Sequence, residues 1–423
     1  MANSMNILLV NPNTFKNPPV IPVGLEYLMT VLEKHGYNAD ILDLCFENSP
    51  IDKLNQKLKE SSYDLIAFSL RNIDSAIYFN NEFFLFDVKK LIQCAKIYRI
   101  PVILGGSGFS SMPNEILKYL EADYGIIGPG EVIFPRFLKQ WQSNQLDKKL
   151  FDGWQYGLDT DLIHYRGKKI DYPSYISKEG IIGFETHVGC TNKCPYCIEA
   201  NTPVYLKKIS NIIEELRYLV DSGYTHFHLC DSEFNTNIDY SIEFCKSLIE
   251  QKLEMKWALY MKPSPYNEEL FRVLHESNAY LITLTVDSDE RIQALNNYSY
   301  KDLDIIIEYC DKYKIDLAID LLTGYPNESL ESTKKCLKFF ENNPPKTVGI
   351  SFYYRIYKNT ALAKLIEEDT NLKKQLISSY SENQDFLFPI FFNQIKQETL
   401  ENLIAGKELF RIAGIIPGVN YQL

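Results

Sequence analysis

The sequence lacks a long hydrophobic run and an excess of positive charge. Its first apolar stretch, residues 7–10, is much shorter than the hydrophobic part of a signal peptide or a membrane span. Lys and Arg number 44 against 55 Asp and Glu, which gives a formal net charge of -11. Nucleic-acid binding usually requires a basic surface, so this balance argues against a nucleic-acid partner. We therefore expect a cytoplasmic, monomeric protein with neither a membrane nor a nucleic-acid partner.

The composition is otherwise ordinary for a globular protein. Hydrophobic residues make up 45% and charged residues 23% of the 423 residues, which argues against a disordered chain or a coiled coil. A domain averages roughly 150 residues, so a chain of this length predicts two or three domains.

Short apolar segments alternate with helix-like segments in the first third of the chain. The apolar segments lie at 6–10, 39–44, 64–70, 101–106 and 124–128. Continuously apolar strands are typical of a parallel sheet that helices cover on both faces. Residues 1–144 are therefore predicted to form a doubly wound, flavodoxin-like α/β domain.

Ligands bind such sheets at the carboxyl ends of the strands. The residues predicted to lie there and to contact a cofactor are Asn11, Pro12, Ser69, Leu70, Arg71, Gly105, Gly106, Ser107, Gly128, Gly130 and Glu131. Glycine lets a bulky ligand approach the backbone, although an ordinary turn would also explain any one of these glycines. No GxGxxG pattern follows the first strand, so a dinucleotide is a weak candidate.

A second alternating series follows a weakly periodic connector at 145–180. Six strand-and-helix pairs between 181 and 358 predict a partial (β/α)6 barrel rather than a closed barrel of eight strands. Residues 359–423 are predicted to form a small, mainly helical region that packs over the barrel mouth and helps to form a substrate pocket.

Three of the nine cysteines stand together directly after the first strand of the second series. Cys190, Cys194 and Cys197 form a CxxxCxxC pattern, whereas the other six are scattered and are expected to be small core residues. Three thiolates leave one iron of a four-iron, four-sulfur cluster open, whereas a structural zinc site requires four protein ligands. A zinc site completed by His187 is the alternative.

The CxxxCxxC pattern, with Tyr196 before its last cysteine, resembles that of the radical S-adenosylmethionine (SAM) superfamily. The resemblance implies a cluster that binds SAM through its open iron and cleaves it to an adenosyl radical. It also implies SAM contacts from polar residues at the ends of later strands, which are equally typical of helix caps and turns. These residues are Asp231, Glu233, Lys262, Asp287 and Ser288.

The order of the strand-end residues in the first domain resembles that of the cobalamin-binding domain that precedes some radical SAM barrels. The DxHxxG motif, which supplies a histidine to cobalt in other cobalamin proteins, is missing, and Arg71 opens a loop that reaches Glu82. We expect this loop to lie under the corrin, with Arg71 on the lower face of cobalamin. A guanidinium has no lone pair and cannot ligate cobalt. Arg71 could instead pair with Asp74 or Asp87.

Arg71 and the stretch 231–235 also partly resemble the tryptophan 2-C-methyltransferases, which methylate without a substrate radical. This resemblance implies that Glu233 occupies the open coordination position of the cluster's fourth iron, and that Arg71 and Glu233 are catalytic. Glu233 could instead bind SAM or cap the helix that follows it.

Together the resemblances imply a cobalamin-dependent (class B) radical SAM methyltransferase. Such an enzyme moves a methyl group from SAM through methylcobalamin to an unactivated carbon of a small molecule or peptide, for example an aromatic amino acid such as tryptophan. Its partners would be this substrate and an external electron donor, a flavodoxin or a ferredoxin. A cyclase or ring-rearranging enzyme with the same cofactors is the alternative. An RNA-modifying enzyme with a second cluster is disfavoured, because the first domain lacks the cysteines that a second cluster would need.

Overall fold

The computed structural model describes residues 5–380 and 385–415. Its strands are β1 (Asn6–Asn11), β2 (Asn38–Asp43), β3 (Leu65–Ser69), β4 (Val102–Gly105), β5 (Tyr124–Ile127), β6 (Leu150–Asp152), β7 (Ile182–Phe184), β8 (His187–Val188), β9 (Tyr205–Leu206), β10 (His226–Leu229), β11 (Lys256–Met261), β12 (Ala279–Asp287), β13 (Asp316–Leu322), β14 (Thr347–Ser351), β15 (Tyr354–Arg355), β16 (Phe391–Phe392) and β17 (Phe410–Ile412).

The helices alternate with these strands over most of the chain. They are α1 (Val23–Lys34), α2 (Pro50–Glu60), α3 (Leu85–Ile97), α4 (Ser107–Ser111), α5 (Pro113–Leu120), α6 (Ile133–Gln142), α7 (Tyr172–Ile176), α8 (Ile209–Asp221), α9 (Ile238–Gln251), α10 (Glu268–Glu276), α11 (Glu290–Leu295), α12 (Tyr300–Tyr313), α13 (Leu330–Asn342), α14 (Ala361–Glu368), α15 (Thr370–Lys373) and α16 (Gln397–Ile404). Short 3-10 helices cover Gly153–Gln155 and Phe234–Thr236. Among the described helices, none has the length and apolar character needed to cross a membrane.

Contacts group the described residues into two compact units. The first lies within Met1–Ser75, Glu82–Ile182 and Tyr205–Leu219. The second lies within Ala76–Asn81, Gly183–Val204 and Val220–Leu423. The tip of the loop that follows β3 therefore belongs to the second unit. The domain boundaries placed at 144, 180 and 358 stay predictions.

The first unit is built on a six-stranded sheet in the order β2-β1-β3-β4-β5-β6. Every pair in this sheet is parallel. Consecutive residues of β1 such as Leu8 and Leu9 are both fully buried, so the strand is covered on both faces, and helices α1 and α6 add Leu25 and Phe137 to the core around Leu9 on one of them. The order of the first five strands is that of a flavodoxin-like sheet, which confirms the predicted doubly wound domain. The short strand β6 was missed, since it lies in the weakly periodic connector.

A buried ion network holds the connector against two helices of the first unit. The guanidinium of Arg166 is fully buried and donates to Glu215 Oε1 at 2.6 Å and to Tyr172 Oη at 2.9 Å. Its Nη1 also lies 3.7 Å from Glu26 Oε2, and the backbone N–H of Gly167 donates to Glu26 Oε1 at 2.8 Å. Burial raises the pKa of Glu26, and the nearby Arg166 opposes this rise. Arg166 thus supplies a cation that two buried carboxylates share.

We expect Arg166→Met to reduce the free energy of unfolding by about 3–5 kcal/mol, because it leaves two buried carboxylates without their cation. Urea unfolding followed by circular dichroism measures the loss. Arg272→Met is the matched control, since Arg272 makes a 2.7 Å ion pair with Glu276 on an exposed helix face. The control should lose far less stability, because exposed pairs contribute little. Equal losses in the two variants would show that burial of the network does not matter.

The second unit is built on a seven-stranded sheet in the order β17-β14-β13-β12-β11-β10-β7. The pairs from β10 to β17 are parallel, and all seven strands follow chain order across the sheet. Trp257 is fully buried and packs on Phe184, Phe234 and Phe244. This arrangement confirms the predicted partial barrel. The C-terminal region contains the short helices α14 to α16, which cover less than half of its described residues, and it also contains β16 and supplies β17 to the sheet, neither of which the sequence indicated.

Candidate active site

The cysteine loop follows β8 and closes on itself. Cys190 N donates to Thr202 Oγ1 at 2.9 Å, and Thr202 N donates back to the Cys190 carbonyl at 3.0 Å. Gly189, which precedes the first cysteine, has a φ of 90°, and a Cβ there would collide with the carbonyl of Pro203. Glycine is therefore required at this position by both its backbone conformation and its packing. The loop holds the three cysteines in one compact segment.

The three thiols lie in surroundings that disfavour free thiolates. Burial raises the pKa of Cys190 and of Cys194, and it raises the pKa of Cys197 to about 12. The carboxylate of Asp287 raises the pKa of Cys194 further, and Lys262 partly offsets the effect of burial at Cys190. Iron supplies the positive charge that such thiolates need, because metal binding displaces the thiol protons. The donor set thus fits a metal cluster.

The described residues give no support to a mononuclear zinc site. In them, no three His, Cys, Asp or Glu side chains are arranged to hold a single metal ion. His187 instead places Nδ1 2.9 Å from Asp231 Oδ2. Cysteines that each bind a different iron of a cluster do not have to converge on one point.

Two of the residues predicted at strand ends contact the cysteine loop. At the end of β11, Lys262 Nζ donates to Thr191 Oγ1 at 3.3 Å and to Asn192 Oδ1 at 3.1 Å. At the end of β12, Asp287 Oδ2 accepts the hydroxyl hydrogen of Tyr196 at 3.1 Å. The structure therefore brings Tyr196, Lys262 and Asp287 together with the cysteines.

Asp231 follows β10 and organises the strand that leads into the cysteine loop. Its carboxylate accepts from the backbone N–H groups of Thr186 at 2.7 Å and His187 at 3.2 Å, and also from the Thr186 hydroxyl. Burial acts to lower the pKa of His187, but the adjacent Asp231 raises it overall. Asp231 was predicted to bind SAM, and the structure shows its carboxylate occupied by protein groups. A direct contact with SAM stays a prediction.

Ser288 is likewise occupied by protein contacts. Its hydroxyl donates to Glu328 Oε1 and lies 3.2 Å from the carbonyl of Leu322. Glu328 also accepts from Thr333 Oγ1 at 2.7 Å and from Gly324 N at 2.7 Å. This buried carboxylate ties the ends of β12 and β13 to α13. The predicted SAM contact of Ser288 stays a prediction.

Several buried polar atoms have no hydrogen-bond partner within residues 5–380 and 385–415. They include Oε2 of Glu233, Oδ1 of Asp287 and Nε2 of His187. Burial raises the pKa of Glu233 to about 8 and that of Asp287 to about 7. A buried polar atom left unsatisfied is costly, so its retention favours a bound ligand that completes its hydrogen bonds.

Glu233 does not cap the helix that follows it. It occupies the N-cap position of the 3-10 helix Phe234–Thr236, but its side chain makes no capping hydrogen bond. Its charge acts to raise the pKa of both Cys190 and Cys194. The structure therefore does not support the capping alternative for Glu233, and a role toward the cluster or SAM stays a prediction.

In the first unit, the ends of β3 and β4 are joined by short contacts. Gly108 N donates to the Leu70 carbonyl at 2.8 Å, and Ser107 Oγ donates to the Arg71 carbonyl at 2.8 Å. Gly106 has a φ of 94°, and a Cβ there would lie 2.5 Å from the Leu70 carbonyl oxygen. A Cβ on Gly105 would meet nothing within 4 Å. Gly106 is thus required by packing, whereas Gly105 leaves open space that a large cofactor could occupy.

The remaining predicted cofactor contacts of the first unit differ in their surroundings. Asn11 is buried, and its Nδ2 donates to Asp43 Oδ1 at 2.8 Å. A Cβ on Gly128 would lie 2.5 Å from Nε1 of Trp154, so this glycine is also explained by packing. Leu70, Pro12 and Glu131 are buried, and Ser69 and Gly130 are partly exposed. Contact of these residues with cobalamin stays a prediction.

Arg71 is exposed at the end of β3 and forms no ion pair with Asp74 or Asp87 in the described part of the chain. Asp87 instead pairs with Lys90 at 2.7 Å. The described residues therefore do not support a pairing of Arg71 with Asp74 or Asp87, and the contact of Arg71 with cobalamin stays a prediction.

Comparison with protein families finds a matching family for each half of the chain. Residues 17–138 match the B12 binding domain, and residues 184–340 match the radical SAM superfamily. The second match contains all three cysteines of the loop. The chain is a cobalamin-binding radical SAM protein. A four-iron, four-sulfur cluster, SAM and cobalamin are its cofactors.

Several known proteins share both halves of this radical SAM protein. The tryptophan 2-C-methyltransferase of Streptomyces laurentii is 22% identical, over 94% of this chain and 80% of its own. The radical SAM methyltransferase TsrM of Kitasatospora setae, solved with cobalamin and a [4Fe-4S] cluster, superposes with a TM-score of 0.88 at 21% identity, over 97% of this chain and 92% of its own. OxsB, a cobalamin-dependent radical SAM enzyme, gives a TM-score of 0.72 at 15% identity, over 95% of this chain and 66% of its own.

Some residues of the site were not predicted from the sequence. Asn296 contacts Cys194, and the Tyr298 hydroxyl accepts from Asp287 N at 2.9 Å. Neither residue belongs to a spacing pattern, and each acts through a contact that only the folded chain creates. Only their position just after a strand or helix could have drawn attention to them.

Proposed function

We propose that this protein is a SAM-dependent C-methyltransferase that transfers a methyl group to a carbon of a small aromatic molecule, with tryptophan as the first candidate. The observation that carries the proposal is the combination of a B12-binding and a radical SAM half along one chain that aligns over 94% of its length with a tryptophan 2-C-methyltransferase. The structure of TsrM with tryptophan and a SAM analogue supports the choice of substrate, since this chain shares its fold at a TM-score of 0.85.

The cofactors provide the difficult chemistry and the protein holds them. When bound, the cluster would anchor SAM, and cobalamin would relay the methyl group of SAM to the substrate. Cys190, Cys194 and Cys197 would hold the cluster, and Lys262 would fix the loop between the first two cysteines. The unsatisfied oxygens of Glu233 and Asp287 are the groups that we expect to meet SAM or the open iron. Gly105 and Arg71 would face cobalamin.

Anaerobic reconstitution tests the proposed function. The full chain is loaded with iron, sulfide and cobalamin, supplied with titanium citrate as the electron donor, and incubated with SAM and tryptophan. A product 14 Da heavier than tryptophan, formed together with S-adenosylhomocysteine, is the expected result. An unmethylated product of changed mass would favour a cyclase. The natural electron donor, the monomeric state and the cytoplasmic location stay predictions.

Arg71→Ala is expected to slow methyl transfer about tenfold, which corresponds to about 1.4 kcal/mol of activation free energy. Arg71 would shield the bound cofactor without ligating it, so its loss would expose cobalamin to water or another base and hinder the reduction that methyl transfer requires. The Co(I) absorbance during titration with titanium citrate measures this effect. Arg136→Ala is the control, because Arg136 is exposed on α6 and its guanidinium stacks on Tyr156. If Arg71→Ala leaves both Co(I) formation and turnover unchanged, Arg71 does not act at cobalt.

A further inference from the structure

Asn296 lies at the end of α11 and contacts two neighbouring residues of the cysteine loop. Its Nδ2 lies 3.5 Å from the sulfur of Cys194, and its Oδ1 accepts from the backbone N–H of Lys193 at 3.0 Å. The second hydrogen on Nδ2 points to the carbonyl of Ile292 at 3.3 Å. Both hydrogens and the oxygen of the side-chain amide are therefore used.

The orientation of this amide follows from its neighbours. The backbone N–H of Lys193 can only donate, so the oxygen of Asn296 must face it. The NH2 group then necessarily faces Ile292 and Cys194. If the amide were flipped, its NH2 group would face the N–H of Lys193, so that two donors would oppose each other, and the sulfur of Cys194 would have no donor. The N–H group directed at Cys194 is thus a consequence of the hydrogen-bond network.

The backbone around Asn296 is held in place by the same strand end that carries Asp287. The Asn296 N–H donates to the carbonyls of Ile292 and Gln293, each at 3.1 Å. Gln293 is buried, and its Nε2 donates to the carbonyl of Asp287 at 2.8 Å. The backbone that carries Asn296 is therefore anchored to the end of β12.

We propose that Asn296 is a positioning residue of the iron–sulfur centre, which donates a hydrogen bond to the Cys194 sulfur and thereby raises the reduction potential of the cluster. The inference rests on the cysteine loop holding a cluster, as in the proposed function. One-electron reduction by an external reductant adds negative charge that the cysteine sulfurs share. A donor directed at one of these sulfurs stabilises the reduced state more than the oxidised state.

Two substitutions distinguish the effect of the side-chain N–H group from the effect of the side-chain oxygen that anchors it. Asn296→Leu removes both contacts at similar volume. Asn296→Asp keeps an oxygen for the Lys193 N–H and loses the donor. Both variants should have a lower midpoint potential than the wild type, and Asn296→Asp the lower of the two, because its carboxylate adds negative charge beside the sulfur. Asn297→Gly is the matched control, since Asn297 is the exposed next residue and its φ of 58° suits glycine.

The measurement is a dithionite titration of the reconstituted full-length chain, followed by electron paramagnetic resonance, with iron and sulfide determined for each sample. Resonance Raman spectra should show the iron–cysteine stretch shifted in both Asn296 variants and unchanged in Asn297→Gly. Fully loaded variants with the wild-type potential and Raman spectrum would overturn the proposal. So would loss of the cluster from both variants in an intact fold, because Asn296 would then be needed for assembly. A wild-type chain that binds no iron would instead refute the cluster itself.

Discussion

Cys194→Ala is expected to lose its cluster and with it at least about a thousandfold of methyl-transfer activity, or about 4 kcal/mol of activation free energy. The three cysteine sulfurs are the only thiolate donors that the loop offers. With two cysteines left, a second iron of the cluster would have no protein ligand, and the cluster would no longer be held firmly. Iron and sulfide per chain, together with the absorbance of the reconstituted protein, measure the loss directly.

Cys310→Ala is the control for this variant. Cys310 is a buried cysteine on α12, outside the loop, so its loss should cost about 1 kcal/mol of stability through a small cavity and leave the iron content unchanged. The two variants thus compare a ligand with a core residue of the same type. A Cys194→Ala protein that keeps full iron content and turnover would show that the cluster is bound elsewhere.

The architecture could be predicted because both halves repeat a strong local pattern. Apolar strands separated by amphipathic helices predict parallel sheets, and the strand orders of both sheets confirm them. The missed strands β6 and β17 have three residues each, too few to show a period. The assignment of residues 76–81 to the second unit could not be foreseen either, since it depends on ring contacts such as that of Tyr78 on Tyr353. Local periodicity carries no information about such distant contacts.

The site was predictable to the extent that it depends on spacing. The cysteine pattern and the strand-end positions identified Tyr196, Lys262 and Asp287, which the structure brings to one loop. Spacing does not reveal what a side chain already binds. Asp231 and Ser288 also lie at strand ends, yet neighbouring groups of the protein occupy them. Asn296 is about a hundred residues from the sulfur it contacts and carried no sequence signal.

The second large effect is expected from Glu233→Gln. In the wild type, Oε2 of Glu233 is buried without a partner among the described residues, and the charge of Glu233 acts on Cys190 and Cys194, so we expect this carboxylate to bind the open iron and to keep it from cleaving SAM. A neutral amide is a much weaker iron ligand. We expect methylation to fall about tenfold and 5′-deoxyadenosine to rise by a similar factor, each corresponding to about 1.4 kcal/mol. Chromatography of both products with S-adenosylhomocysteine gives the ratio.

Glu243→Gln removes the same charge from the exposed face of α9 and should change neither product. Three outcomes for Glu233→Gln then distinguish the roles open to this residue. More 5′-deoxyadenosine with less methylation indicates that Glu233 restrains the iron. A fall in both products with weaker SAM binding indicates a contact with SAM instead. Unchanged products would contradict both roles and leave the buried oxygen of Glu233 unexplained by catalysis, since it makes no hydrogen bond within the described residues.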